Sequence, residues 1–430
     1  MTIFTRSFQL DLVLNYLSFA ITAVGGLVFL FLLAHYLGME GLGVVSLVLA
    51  LYVVIAQIAV GGIHYSALHV ASQASADPAE KTAQIWSAVI TAGIWGGLIA
   101  LLAWISSGIL GSVFNSPRVG EGWAIVAPVL VIFALNKTLA STLNGLNRMR
   151  RFATQMALRA ILLAGSAWII VASTGDPVLV CWAIVVTELG VFLYLSSQVV
   201  QVIGKPQRPV WSTERVKQHI LFGLRGFWSG LSFEINTRLD VLVVGLFLSD
   251  AAVGLYALVA QIAEGFLNIL VVVRNQLAPV LGKLAKPIQV ESIQKLARTL
   301  LLTVVPLAAI CAAIGVWLYA PVMSFLFPSQ GYEAGTSLLA ILLVGLVLNS
   351  WLLLLDTLLI VGGHPGAYSL LMLLTITTNM AANFTLVPLL GLHGAAIATA
   401  TASVSMGIYF LWISRQRFGF WLIQKRVLFN

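Results

Sequence analysis

Apolar runs long enough to cross a bilayer recur along the whole 430-residue chain and are separated by short polar breaks. Hydropathy windows predict six helices in the first half, near 12–36, 41–64, 85–105, 123–143, 154–171 and 178–202. Six more are predicted near 219–247, 252–273, 299–319, 336–361, 368–386 and 394–412. The pattern therefore predicts an all-α polytopic membrane protein of about twelve transmembrane helices, without a sizeable soluble domain.

The two sets of six helices are separated by a basic stretch with two prolines, residues 204–218. We predict an N-terminal lobe at 1–203, a linker at 204–218 and a C-terminal lobe at 219–413. The tail, 414–430, mixes aromatic and basic residues, which suits a segment lying at the membrane interface.

Lys and Arg are distributed very unevenly between alternate loops. One side of the predicted membrane carries 17 of them and the other only Arg118, while the remaining five of the 23 fall inside helices. Because short basic loops stay in the cytoplasm, both termini and the linker are expected there. Six helices per lobe then orient both lobes alike, as parallel repeats about an axis along the membrane normal. A faint repeat agrees, since Leu37–Gly43 and Leu248–Gly254 occupy equivalent positions.

Composition and residue spacing argue against two kinds of partner, nucleic acids and metal ions. Apolar residues make up 60% and charged residues 9% of the chain, and the net charge of +8 lies mostly in short loops, so no nucleic-acid partner is expected. The two cysteines stand alone and the six histidines lie near helix ends without ligand spacing, so we expect no metal.

Three segments carry a family resemblance: the turn at 36–43, the helix end at 144–152, and the late stretch with Asn379, Asn383 and the turn at 387–398. They resemble the Wzx-type polysaccharide flippases of the multidrug/oligosaccharidyl-lipid/polysaccharide (MOP) exporter superfamily. In that turn we expect Pro388 to end one helix, Gly391 to turn the backbone, and the following small residues to let the last helix pack closely. One departure is that residues 12–64 contain no Lys or Arg, unlike the lipid II flippase branch, which argues against a peptidoglycan role.

The resemblance implies two lobes around a central cavity in the bacterial inner membrane. It implies alternating-access transport of an undecaprenyl-pyrophosphate-linked oligosaccharide, the repeat unit of O-antigen (lipopolysaccharide) or exopolysaccharide, and not an enzyme. Partners would be that lipid, membrane lipids, and the glycan polymerase and chain-length machinery. A multidrug antiporter coupled to H⁺ or Na⁺ is the alternative, although its cavity would be expected to concentrate acids. A membrane glycan polymerase or ligase ranks third, because the external loops are short.

Ten ionisable residues fall inside predicted helices, where each would cost roughly 3 kcal/mol if it faced lipid at mid-depth. They must face partners or water. Five of them lie at a similar distance from the predicted cytoplasmic helix ends: Lys137, Arg159, Arg225, Arg274 and Asp356. The four cations of this group suit a pyrophosphate. The alternative is that Asp356 neutralises one of them. The other five lie deeper: Glu188, Glu234, Arg238, Asp240 and Glu264.

The seventh predicted helix is the most polar. Helical periodicity aligns Arg225, Ser229, Ser232, Asn236 and Asp240 along one stripe, which should line water. Glu234 and Arg238 are spaced for a structural ion pair. We predict no catalytic residue and no cofactor, and expect Asp240 or Glu264 to exchange H⁺ or Na⁺ during transport.

Overall fold

The computed structural model describes residues 6–74, 77–328 and 330–422, and nearly all of them are helical. The first half contains α1 (Arg6–Val60), α2 (Ile63–Ser72), α3 (Pro78–Ile105), α4 (Ser107–Val113), α5 (Pro117–Val126), α6 (Leu130–Gly145), α7 (Met149–Thr174), α8 (Pro177–Val180) and α9 (Trp182–Ile203). The second half contains α10 (Thr213–Phe247), α11 (Asp250–Ala285), α12 (Val290–Leu326), α13 (Thr336–Leu353), α14 (Leu358–Val361), α15 (Pro365–Leu390) and α16 (Leu392–Phe418). Two short 3₁₀ turns, Ala127–Val129 and Tyr332–Gly335, precede α6 and α13.

The expected number of membrane spans is confirmed. Within the described ranges, ten helical segments are long and apolar enough to cross a membrane. The first of them covers two predicted helices, because α1 is interrupted at Gly38, whose φ of 64° is left-handed. The remaining predicted span falls on the 35-residue α10, which is not among the ten because ionisable side chains lower its hydropathy. Together these segments account for about twelve spans.

Two differences from the predicted helix ends lie in the second half of the chain. The expectation that Pro388 ends a helix is wrong, because α15 continues through it to Leu390 and stops at Gly391, whose φ is 61°. Proline removes a single backbone donor, and this close to a helix end the loss is tolerated. The predicted helix 336–361 is also broken, between α13 and α14, and Asp356 lies in that break.

The chain forms two compact units. The first comprises Met1–Glu234 with Ser249–Gly254, and the second comprises Ile235–Leu248 with Leu255–Asn430. The division into lobes about a linker at 204–218 stays a prediction. Small residues allow tight helix contacts within each unit: Gly96 of α3 meets Ala134 of α6, and Gly394 of α16 lies against the Leu386 carbonyl of α15. The expected close packing of the last helix is thus observed.

Two glycines in the first unit meet where α1 crosses the start of α11. A Cβ atom on Gly43 would lie 1.7 Å from the Asp250 carbonyl oxygen, and one on Gly254 would lie 1.9 Å from the Met39 carbonyl oxygen. The Ser116 hydroxyl donates to the Asp250 carboxylate at 2.6 Å beside this crossing. Gly43 and Gly254 are the last residues of the two similar segments, Leu37–Gly43 and Leu248–Gly254. Equivalent positions of the two halves of the sequence therefore contact each other.

The basic linker is held against the start of α3. Asp77 caps that helix by accepting hydrogen bonds from the backbone nitrogens of Ala79 (3.0 Å) and Glu80 (3.1 Å). The bond from Glu80, with the nearby Arg208 guanidinium, lowers the pKa of Asp77 from its ordinary value. Arg208 pairs with Asp77 at 2.9 Å, and Arg215 binds both Glu80 carboxylate oxygens at 3.0 Å. The linker is therefore anchored by carboxylates.

At the other end of the chain, α16 ends at Phe418 and the Arg415 guanidinium stacks over the Trp421 ring at 4.3 Å. The last eight residues, including Lys425 and Arg426 of the predicted interfacial tail, lie outside the described residues.

Candidate functional site

A buried polar cluster in the first unit is centred on Glu188 of α9, whose side chain is 2% exposed. Its carboxylate accepts hydrogen bonds from the Tyr52 hydroxyl at 2.9 Å and the Asn136 amide at 2.8 Å, and it pairs with Arg159. The Arg159 guanidinium also lies over the Phe133 ring, 5.3 Å from its centre. The cluster joins α1, α6, α7 and α9, and it satisfies the Glu188 charge within the unit.

A second cluster lies around Lys137 of α6, the residue that follows Asn136 in the sequence. The charges of Glu234, Arg159 and Glu188 all act on the Lys137 ammonium, and Lys137 in turn acts on the His64 ring. Gln57 donates to the Glu234 carboxylate at 3.3 Å. Within the described part of the chain, Lys137 forms no direct ion pair or hydrogen bond. It is a partly buried cation in a segment that is long and apolar enough to cross a membrane.

Arg225 lies on the exposed side of α10. Close packing fixes the opposite side: the Gly223 carbonyl meets Gly62, and Gly226 lies against the Tyr65 ring. The neighbouring Trp228 is 69% exposed. Arg225 makes no ion pair or hydrogen bond with any other described residue. Of the four predicted cations, Arg225, Lys137 and Arg159 belong to the first unit, and only Arg159 is directly paired with an acid there.

In the second unit, Asp240 is the centre of a buried group. The Tyr256 hydroxyl and the Val241 backbone nitrogen donate to its carboxylate at 2.8 and 2.9 Å, and the Thr399 hydroxyl lies 3.4 Å away. Asp240 is 8% exposed and forms no ion pair among the residues described. Among the described residues, the Asp240 carboxylate is therefore held by hydrogen-bond donors and not by a paired cation.

A chain of amides runs beside it on α10 and α15. The Asn379 amide donates to Asn236 at 3.3 Å, and the Asn383 amide donates to Asn379 at 2.8 Å. The side-chain amide oxygen of Asn383, Oδ1, is buried, and no donor among the described residues reaches it.

The remaining predicted residues pair within the second unit. Arg238 lies 3.8 Å from the Glu264 carboxylate of α11. Arg274 donates to Asp356 at 3.0 Å, and Asp356 is 1% exposed. The predicted internal pairing of Asp356 with one cation is thus present with Arg274, which leaves Arg274 the least available cation of the four.

The sequence reasoning missed the uncharged members of these groups. Tyr52, Gln57, Asn136, Tyr256 and Thr399 were not singled out, although each is a polar side chain in an apolar helix. Asn136 directly precedes Lys137, so a search for adjacent polar residues in apolar runs would have found it.

The long apolar helices define a multi-pass membrane protein. The family of polysaccharide biosynthesis proteins matches residues 32–330, which is more than half of the chain. The chain therefore belongs to that family. No curated protein gives a significant match.

Solved structures of MOP superfamily transporters share the fold. An inward-facing multidrug resistance MATE family transporter superposes with a TM-score of 0.75 at 16% identity, covering 92% of this chain and 94% of that one. The lipid II flippase MurJ in its inward closed conformation gives 0.75 at 14%, covering 93% and 87%. A point mutant of the Vibrio cholerae MATE transporter VcmN gives 0.60 at 15%, covering 95% and 98%. The predicted superfamily resemblance is confirmed.

Proposed function

We propose that this protein is an alternating-access flippase that moves an undecaprenyl-pyrophosphate-linked oligosaccharide, an O-antigen or exopolysaccharide repeat unit, across the bacterial inner membrane. Membership of the polysaccharide biosynthesis family supports the class of substrate. The observation that carries the proposal is that two cations in the membrane helices of the first unit, Arg225 and Lys137, form no direct ion pair with any described acid.

Such cations need an electrostatic reason. A cation at mid-membrane depth costs roughly 3 kcal/mol, and pairing with an acid normally offsets this cost. Arg159 and Arg274 follow that rule, whereas Arg225 and Lys137 do not within the described chain. A pyrophosphate supplies several anionic oxygens, which a guanidinium binds as a fork and an ammonium binds as a point charge. Arg225 and Lys137 would bind it first, with Arg159 positioned by Glu188.

The competing functions are weaker. A cation-coupled multidrug antiporter shares the fold of the MATE structures. Available cations in the helices favour an anionic substrate over a cationic drug. A glycan polymerase or ligase is disfavoured by the transporter fold. The polymerase and chain-length machinery are proposed as partners, and both termini are proposed to be cytoplasmic from the 17 to 1 split of loop cations.

Substitution of Arg225 tests the substrate. Arg225→Ala should lower the affinity for a polyprenyl pyrophosphate lipid about ten- to hundredfold, the loss of one charge-assisted hydrogen-bonded contact, whereas Arg225→Lys should keep part of it. The measurement is lipid binding to purified protein, together with flipping in proteoliposomes. Lys217→Ala, an exposed cation at the start of α10, is the matched control. Unchanged lipid affinity in well-folded Arg225→Ala protein would contradict the phosphate site.

We propose further that Asp240 couples transport to H⁺ or Na⁺. Asp240→Asn should abolish the dependence of flipping on an imposed proton or sodium gradient, because the amide cannot exchange the charge. Glu264→Gln should have a smaller effect, since Glu264 is paired with Arg238. The rate is measured in proteoliposomes with each gradient in turn. Full gradient-dependent transport by a stably inserted Asp240→Asn, Glu264→Gln protein would remove both acids from coupling.

A further inference from the structure

An apolar groove of about 370 Å³ runs along the outer side of α3, α6 and α9 in the first unit. Gly93 supplies no side chain on α3, and Ile90 and Ile94 remain 39% and 56% exposed beside it. The other lining residues are Trp86, Val89, Leu135, Leu139, Phe192 and Ser196. The groove is therefore open and almost entirely hydrocarbon.

The groove is formed by helices that can cross a bilayer. All three helices belong to segments that are long and apolar enough to cross a bilayer. From Trp86 to Ile94 the groove spans eight residues of α3, which is about 12 Å at 1.5 Å per residue. Such an apolar surface offers water almost no hydrogen bonds, so its chemistry favours an extended hydrocarbon chain as the occupant.

One end of the groove carries positive charge. The Trp86 indole donates to the Gly204 carbonyl at 3.1 Å, which places the start of the basic linker directly beside a lining residue. The next residue, Lys205, is exposed and forms no hydrogen bond or ion pair within the described chain. Arg208 is partly neutralised by Asp77, whereas Lys205 is not. Trp211, 57% exposed, is of the type that anchors at the headgroup level.

We propose that this groove binds one acyl chain of an anionic glycerophospholipid, with the phosphate headgroup held at Lys205. The charge at one end selects an anionic lipid over a zwitterionic one, because each basic residue near the surface attracts anionic lipid. The site is separate from Arg225 and Lys137 and assigns to the first unit a resident lipid distinct from any transported one.

Native mass spectrometry of the full-length protein with equimolar dioleoylphosphatidylglycerol and dioleoylphosphatidylcholine tests the site. The wild type should retain phosphatidylglycerol in preference. Lys205→Gln should reduce that preference about fivefold, the effect of one basic residue. Gly93→Leu should lower the retention of phosphatidylglycerol about tenfold, equivalent to two methylene groups losing burial. An added Cβ at Gly93 meets only the end of the Leu135 side chain, at 3.3 Å, so the fold should tolerate it.

Matched controls and a second readout decide the result. Gly165→Leu, at an unobstructed glycine of α7, and Lys217→Gln should leave retention unchanged. A phosphatidylglycerol with a photoreactive group on one acyl chain should crosslink to peptides containing Ile94 or Phe192. Equal retention by Gly93→Leu and wild type, crosslinks confined to other helices, or displacement of phosphatidylglycerol by undecaprenyl phosphate would each overturn the proposal.

Discussion

Replacing Arg159 by alanine is expected to destabilise the protein by about 3–5 kcal/mol, because Glu188 would remain buried with its charge uncompensated. The Tyr52 and Asn136 hydrogen bonds would still reach the carboxylate, but they supply no positive charge. The loss is measured as a fall in thermal midpoint and in the monodisperse fraction of detergent-purified protein. The expected effect is large because Glu188 is 2% exposed.

The double variant Arg159→Ala, Glu188→Gln should recover much of that stability, since the amide no longer needs a cation. Arg118→Ala is the control, because its pair with Glu40 is exposed and 3.9 Å long, and should change stability by less than about 1 kcal/mol. If Arg159→Ala were as stable as the wild type, the pair with Glu188 would not be needed for stability.

Gly43→Ala is expected to disrupt the crossing of α1 with α11. The added Cβ would lie 1.7 Å from the Asp250 carbonyl oxygen, far inside any contact distance, so the two helix backbones must separate by more than about 1 Å. Overpacking of this kind costs typically about 1–3 kcal/mol and more where backbone faces backbone. We expect a lower thermal midpoint and faster hydrogen exchange at the start of α11.

Gly265→Ala on α11 supplies the comparison, because nothing lies within 4 Å of its added Cβ. There the substitution should stabilise the helix by up to about 1 kcal/mol, as alanine is the better helix former. Equal behaviour of the two variants would show that the glycine crossing is not required by the fold.

Much of the fold was predictable from the sequence because the bilayer imposes simple rules. Apolar length specifies the spans, and the family resemblance rested on turns such as 387–398. The partners of the buried charges were harder to predict from the sequence. Spacing along α10 aligned Arg238 with Glu234, and Asp356 was predicted to neutralise one of the four cations, with Arg225 as the pair considered. The structure brings Arg238 to Glu264 and Asp356 to Arg274, because the rotation of neighbouring helices chooses the partner. No single-helix periodicity encodes that rotation.

The spacing of the buried pairs along the chain also sets a problem of synthesis. Arg159 precedes Glu188 by 29 residues, and Arg274 precedes Asp356 by 82. At a translation rate of about 5–20 residues per second, Asp356 is synthesised about 4–16 s after Arg274, and Glu188 about 1.5–6 s after Arg159. Released alone into lipid, each arginine would incur the full cost of an unpaired charge. We therefore expect α11 to leave the insertion machinery only after α13 and the break after it have been synthesised, which would make insertion of this protein depend on the rate of translation.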